Sequence, residues 1–256
     1  MHPYAKPLLE ILERGFDGLL KNALADVAVA VIDSGVDASH PALVGRVQQA
    51  YAIEGGNAVS TSLTGHNDAR GHGTAVAHIV TQVAPNARIV DVRALSVDHQ
   101  SNGDELVEAL RHALTLPISV VNMSLVVRPK WRGPMTELCE LAHRRNIAVV
   151  ASAQNSPLGS RGLPAELASV ISVDYHTMEG LYSVLYRQRN LVEFAAMGQG
   201  ITAAEAGGGY TEVTGTSFAT PVVSGLCALL RGVYPSLRPY ELQSILKALA
   251  ARHVES

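Results

Sequence analysis

Cysteine is scarce in this 256-residue chain: Cys139 and Cys227 are the only two, too few for a disulfide framework. Both fall in apolar helical patterns and read as small core residues, so the sequence demands no oxidising compartment. Charge is also sparse, at 17% of residues with a formal net charge of −3. That balance argues against nucleic acid or an anionic membrane surface as the main partner. No apolar run near the N-terminus has the length of a signal peptide, and no stretch of about 18 apolar residues reads as a membrane span. Repeats, low-complexity tracts and linkers are missing too, which leaves no sign of a second domain. Met1 reads as the start of a complete translation product, and the expected setting is cytoplasmic.

What remains is a chain 47% hydrophobic, of a length that suits one α/β domain with a large buried core. Residues 1–25 read as an amphipathic helical extension with Leu8, Leu9, Ile11 and Leu12 on its apolar side, and residues 26–256 as the domain. Apolar, β-branched runs predict strands at Val27–Ile32, Ala87–Leu95, Ile118–Leu125, Ile147–Ser152 and Val170–Val173. Helical spacing predicts helices at Thr74–Val83, Asp104–Leu114, Met135–Arg145, Ser217–Tyr234 and Arg238–Arg252. The alternation predicts a three-layer α/β fold, a mostly parallel central sheet with helices on both faces.

Chemistry is concentrated in three short motifs. Gly215-Thr216-Ser217-Phe218-Ala219-Thr220-Pro221 leads into a buried apolar helix, so Ser217 sits in a first turn. There, unpaired backbone N–H groups and the positive dipole end favour developing negative charge. A Thr/Ser helix cap is the plainer alternative for this motif alone. Asp33 ends a buried strand and is followed by Ser34-Gly35, where an α/β sheet gathers its reactive groups, although an Asx-turn explains an isolated aspartate equally well. His72, in Gly71-His72-Gly73-Thr74, opens a helix with small neighbours. His66, His72 and His78 lack zinc-site spacing, so metal is discounted. Together Asp33, His72 and Ser217 supply an orienting acid, a general base and a nucleophile. Asn155, ending another strand, can donate a hydrogen bond to an oxyanion alongside the Ser217 N–H.

In this order the motifs resemble the subtilisin-like serine peptidases, from Val31-Ile32-Asp33-Ser34-Gly35 through Asn122-Met123-Ser124-Leu125 and Ala153-Gln154-Asn155 to Gly215-Thr216-Ser217. The resemblance implies a triad of Asp33, His72 and Ser217, with Asn155 as oxyanion donor. It further implies a peptide-binding edge at Ser124, Leu125, Val126 and Val127, and a primary pocket bounded by Ala153, Gln154 and Gly162. It implies no metal or cofactor here: Ala42 stands where tight calcium binders of the family carry an aspartate, and the histidine helix has no interrupting loop. Val126 and Val127 replace the family's usual glycine pair, and Gln154 another glycine, so a narrower, more polar pocket and a restricted substrate range are expected. Arg128, Lys130 and Arg132 around Trp131 read as a solvated loop with one anchor, in preference to a reader of acidic or aromatic segments. The expected activity is a serine endopeptidase acting through an acyl-enzyme, processing a partner protein or leader peptide. A transpeptidase or cyclase and a decayed binding module are the alternatives. The expected partner is a protein or peptide substrate, not nucleic acid or membrane; no oligomeric state is read.

Overall fold

Strand β1 (Val27–Asp33) lies near the middle of a nine-stranded sheet, paired on one side with β4 (Ala87–Arg93) and on the other with β5 (Val120–Met123). The computed structural model describes residues 15, 16, 18, 19, 25–64, 67, 68, 70–95, 102–154, 162–187 and 192–254. The remaining strands of this sheet are β2 (Val47–Glu54), β3 (Asn57–Ser60), β6 (Ala148–Ser152), β7 (Val170–His176), β8 (Val184–Tyr186) and β9 (Phe194–Met197). Their order is β3-β2-β4-β1-β5-β6-β7-β9-β8, parallel throughout except for the two antiparallel edge strands β3 and β8. The chain departs to opposite sides of β1, so the carboxyl end of β1, where Asp33 stands, borders a topological switch point.

Helices α1 (His72–Val83), α4 (Thr216–Val233) and α5 (Pro239–Val254) bury their apolar sides on one face. Helices α2 (Gly103–Ala113) and α3 (Arg132–Arg144) cover the other. The result is the three-layer α/β arrangement the sequence predicts. Strand β1 is apolar at nearly every position because both of its faces are covered. Most of the proposed N-terminal extension lies outside the described residues, but Phe16 and Leu19 are buried in the α1–α4 layer.

One expectation is corrected. Helix α4 is long and apolar enough to cross a membrane by length and composition, with a mean hydropathy of 1.3 over 18 residues. Fully 83% of that window is buried inside the fold, so its apolarity is that of a core helix. The hairpin β2–β3, the edge pair β8–β9 and the small sheet of β10 (Ile201–Ala204) with β11 (Tyr210–Val213) are additions the sequence patterns do not disclose. Their strands are short or half-exposed, so apolar runs do not mark them.

Candidate active site

Asp33 is wholly buried at the end of β1. Its Oδ1 accepts from the Ser34 backbone N–H at 2.7 Å and from His72 Nδ1 at 2.7 Å. A carboxylate only accepts, so the imidazole proton resides on Nδ1 and Nε2 keeps its lone pair outward. Asp33 Oδ2 is buried with no partner among the described residues. The bond to Ser34 joins adjacent residues and does not span the two residues of an Asx-turn, so Oδ1 serves the Ser34 N–H and His72 together.

His72 opens α1 with its side chain 27% exposed. Burial disfavours its proton, but the charge and hydrogen bond of Asp33 outweigh that, and the net effect raises its pKa above 6.5. Asp68 adds to the rise and Arg70 opposes it. Gly73 makes the approach possible, since a Cβ there would lie 2.1 Å from the Gly35 carbonyl oxygen. The Phe218 ring sits 5.1 Å from the imidazole, centroid to centroid.

Ser217 is the second residue of α4, whose N-cap is Gly215 and carries no side-chain cap. Capping is therefore not what the Thr-Ser pair does. Thr216 Oγ1 donates to the Ala153 carbonyl at 2.9 Å, tying the helix start to the end of β6. Ser217 Oγ donates to the Ser124 carbonyl at 3.3 Å, and Ser124 Oγ donates back to the Ser217 carbonyl at 2.7 Å. Asn122 Nδ2 supports Ser124 Oγ at 3.0 Å, and Ser224 Oγ in turn supports Asn122 Oδ1 at 2.8 Å. The acid–imidazole hydrogen bond is thus formed, while the hydroxyl is turned toward Ser124. Asn155 lies outside the described residues.

Beside Ser124 the chain forms one side of a cavity of about 340 Å³ lined by Val126, Val127, Arg128, Pro129, Arg132, Gln154, Gly162, Leu163 and Glu166. The Val127 N–H donates to the Leu163 carbonyl at 2.9 Å, stitching wall to floor. Gly162 has φ 74°, and a Cβ there would lie 2.3 Å from Val126 Cγ1, so the valine packs directly on the floor. Four of the seven expected substrate contacts, Val126, Val127, Gln154 and Gly162, line this cavity. Ser124 and Ala153 instead hold α4 through their polar groups, and Leu125 is buried in the α2–α3 layer.

Arg132 forms an ion pair with Glu166 in the cavity lining. Arg128, Lys130 and Arg132 are exposed, as a solvated loop implies, and Arg128 and Arg132 also line that cavity. Trp131 is its anchor: its indole N–H donates to Asp104 Oδ1 at 2.9 Å, and Lys130 Nζ lies 3.9 Å over its ring. Sequence reasoning missed Glu166 and also Asp68, a wholly buried carboxylate beside the start of α1. No motif marks Glu166. Asp68 carries a weak signal, an acid just ahead of a helix whose cap position is a glycine.

The family's tight calcium site does not fit these residues. Ala42 offers no side-chain oxygen, and α1 ends at Val83 and passes through Ala84-Pro85-Asn86 into β4. Among the described residues no three His, Cys, Asp or Glu side chains are grouped to hold a metal ion.

A model described as the subtilase family of peptidases matches residues 25–255. Subtilisin DY of Bacillus licheniformis is 29% identical over 267 residues, covering 97% of this chain and 91% of that protein. Alkaline elastase YaB of a Bacillus species is 28% identical, but this chain spans only 61% of its length. Among solved structures, sphericase superposes with a TM-score of 0.72 at 26% identity, over 94% of this chain and 88% of the other. The chain belongs to the subtilase family and is a subtilisin-like serine endopeptidase.

Proposed function

We propose that Asp33, His72 and Ser217 form the catalytic triad of a restricted processing peptidase. The observation that carries this is the 2.7 Å contact between His72 Nδ1 and the buried Asp33 carboxylate. It fixes the tautomer in which Nε2 accepts a proton, and it stabilises the imidazolium formed when it does. Ser217 stands at the open end of a helix, where its own N–H has no intrahelical acceptor and faces developing negative charge. Asn155 is proposed as the second oxyanion donor, on the motif alone.

An extended peptide pairing along Ser124–Val127 offers its N–H to the Ser124 carbonyl. That displaces the Ser217 hydroxyl, which turns to His72. Oγ then attacks the scissile carbonyl while Nε2 takes its proton. The proton passes to the leaving amine, and water releases the acyl group by the same steps in reverse. Restriction comes from the pocket, where Val126 rests on Gly162 and charged side chains line the space. The substrate is proposed to be a partner protein or leader peptide met in the cytoplasm, where the free, buried thiols of Cys139 and Cys227 need no protection.

A cleavage profile on a peptide library, read by mass spectrometry, tests this function. A few cut sequences with hydrolysed ends are expected. Broad digestion of casein contradicts restriction, and ligated products contradict hydrolysis.

A further inference from the structure

The start of α1 is held by a buried acid rather than by a conventional cap. The N-cap residue, Gly71, has no side chain with which to satisfy the first-turn N–H groups. Asp68 does so for the Thr74 N–H from outside the helix, and it also holds the two residues just ahead of the helix. Its Oδ1 accepts from the N–H groups of Arg70 at 3.0 Å and Gly71 at 2.9 Å. Its Oδ2 accepts from the Thr74 N–H at 2.8 Å and Thr74 Oγ1 at 2.6 Å.

The same carboxylate reaches the strand that carries the triad acid. Ser34 Oγ donates to Asp68 Oδ1 at 2.8 Å and accepts from the Gly73 N–H at 3.1 Å. Ser34 follows Asp33 directly, and Gly73 follows His72 directly. Each member of the acid–base pair therefore has a neighbour tied into one hydrogen-bonded unit. Thr74 Oγ1 extends it by accepting from the Asp37 N–H at 2.9 Å, and Asp37 Oδ2 accepts from the Gly207 N–H at 2.9 Å, in the β10–β11 hairpin ahead of Ser217.

We propose that Asp68 is a positioning residue for the acid–base pair, locking the start of α1 to the loop after β1 so that His72 meets Asp33 before substrate arrives. The inference rests on the proposed triad. A misplacement of about 1 Å at such a pair costs on the order of 10²-fold in rate, so a rigid tie has a measurable consequence. The charge of Asp68 has a second effect, because it adds to the forces that hold the His72 proton. The other charged groups acting on the imidazole are Asp33 from β1, which also holds the proton, and Arg70 from the segment before α1, which opposes it.

The test is the second-order rate at which a fluorophosphonate labels Ser217, measured against pH. It reads nucleophile activation without a known substrate, the hydroxyl displacing fluoride at phosphorus. Wild-type protein that does not label refutes the triad, not the role of Asp68. In labelling wild type, Asp68→Asn is expected to slow the plateau rate about tenfold or more. It is also expected to move the acid limb to lower pH, because a charge that holds the His72 proton is gone. A lowered melting temperature with plateau and limb both unmoved overturns the proposal and leaves Asp68 a structural cap. Should Asp68→Asn fail to fold, Ser34→Ala decides. It cuts the tie to β1 while keeping the charge, so a slower plateau with an unmoved limb is expected, and an unchanged plateau overturns the proposal.

Discussion

Pro221 leaves the Ser217 carbonyl without its helical donor, and the Ser124 hydroxyl takes that place at 2.7 Å. A proline has no N–H to give to the residue four before it, so the proline in the nucleophile motif creates the acceptor that Ser124 fills. The proposed peptide-binding edge and the proposed nucleophile are thereby joined by a reciprocal pair of bonds.

Ser124→Ala removes that donor and leaves a part-buried carbonyl unpaired. A stability loss of about 1–3 kcal/mol is expected in denaturant unfolding. The labelling rate of Ser217 should fall with it, because the helix start loses one of its ties to the segment that follows β5. Stability within a few tenths of a kcal/mol of wild type would show that the bond contributes nothing.

Val126→Gly releases the contact with Gly162 and opens the floor of the cavity. Larger apolar side chains at the residue before the cut should then be accepted, with kcat/KM rising about tenfold or more for leucine or phenylalanine there. A profile unchanged from wild type would place the restriction elsewhere.

The raised pKa of His72 fixes the sign of two pH effects. Peptide hydrolysis needs the neutral ring, so the acid limb of kcat/KM is expected above pH 6.5. The folded state holds this proton more tightly than the unfolded chain. The corresponding stability is therefore complete below the unfolded value and is lost as pH rises through the folded one. Asp33→Asn should move the limb to lower pH and cut turnover on the order of 10⁴-fold, as in related triads. A limb that stays in place would separate Asp33 from His72.

Asp91 gives the opposite sign. Burial, aided by the charges of Asp68 and Asp33, pushes its carboxyl well above the usual range, although the Val36 N–H pulls the other way. Its Oδ1 is buried without a partner among the described residues. The unfolded chain ionises first, so this residue subtracts stability as pH rises above about 3.8. Asp91→Asn should raise Tm at pH 7 and lose that advantage near pH 3.5. A lower Tm at pH 7 would show that the ionised form is wanted.

Much of this site is legible in the sequence because each motif sits at a strand or helix end. Asp33 follows an unbroken apolar strand, His72 opens α1 and Ser217 opens α4, all as the patterns predict. Asp68 is not legible as a contributor, since its role depends on Ser34, distant in sequence, coming within 2.8 Å. The same holds for Glu166, whose pairing with Arg132 is made by folding. The apolar strength of α4 is visible but ambiguous, because a core helix and a membrane span share one composition.

Intact-mass analysis after fluorophosphonate treatment tests the triad most directly, using wild type, Ser217→Ala and His72→Ala. One adduct on wild type, mapped to Ser217, and none on either variant at the same exposure is the expected result. No adduct on wild type, or labelling that persists in Ser217→Ala, would contradict it.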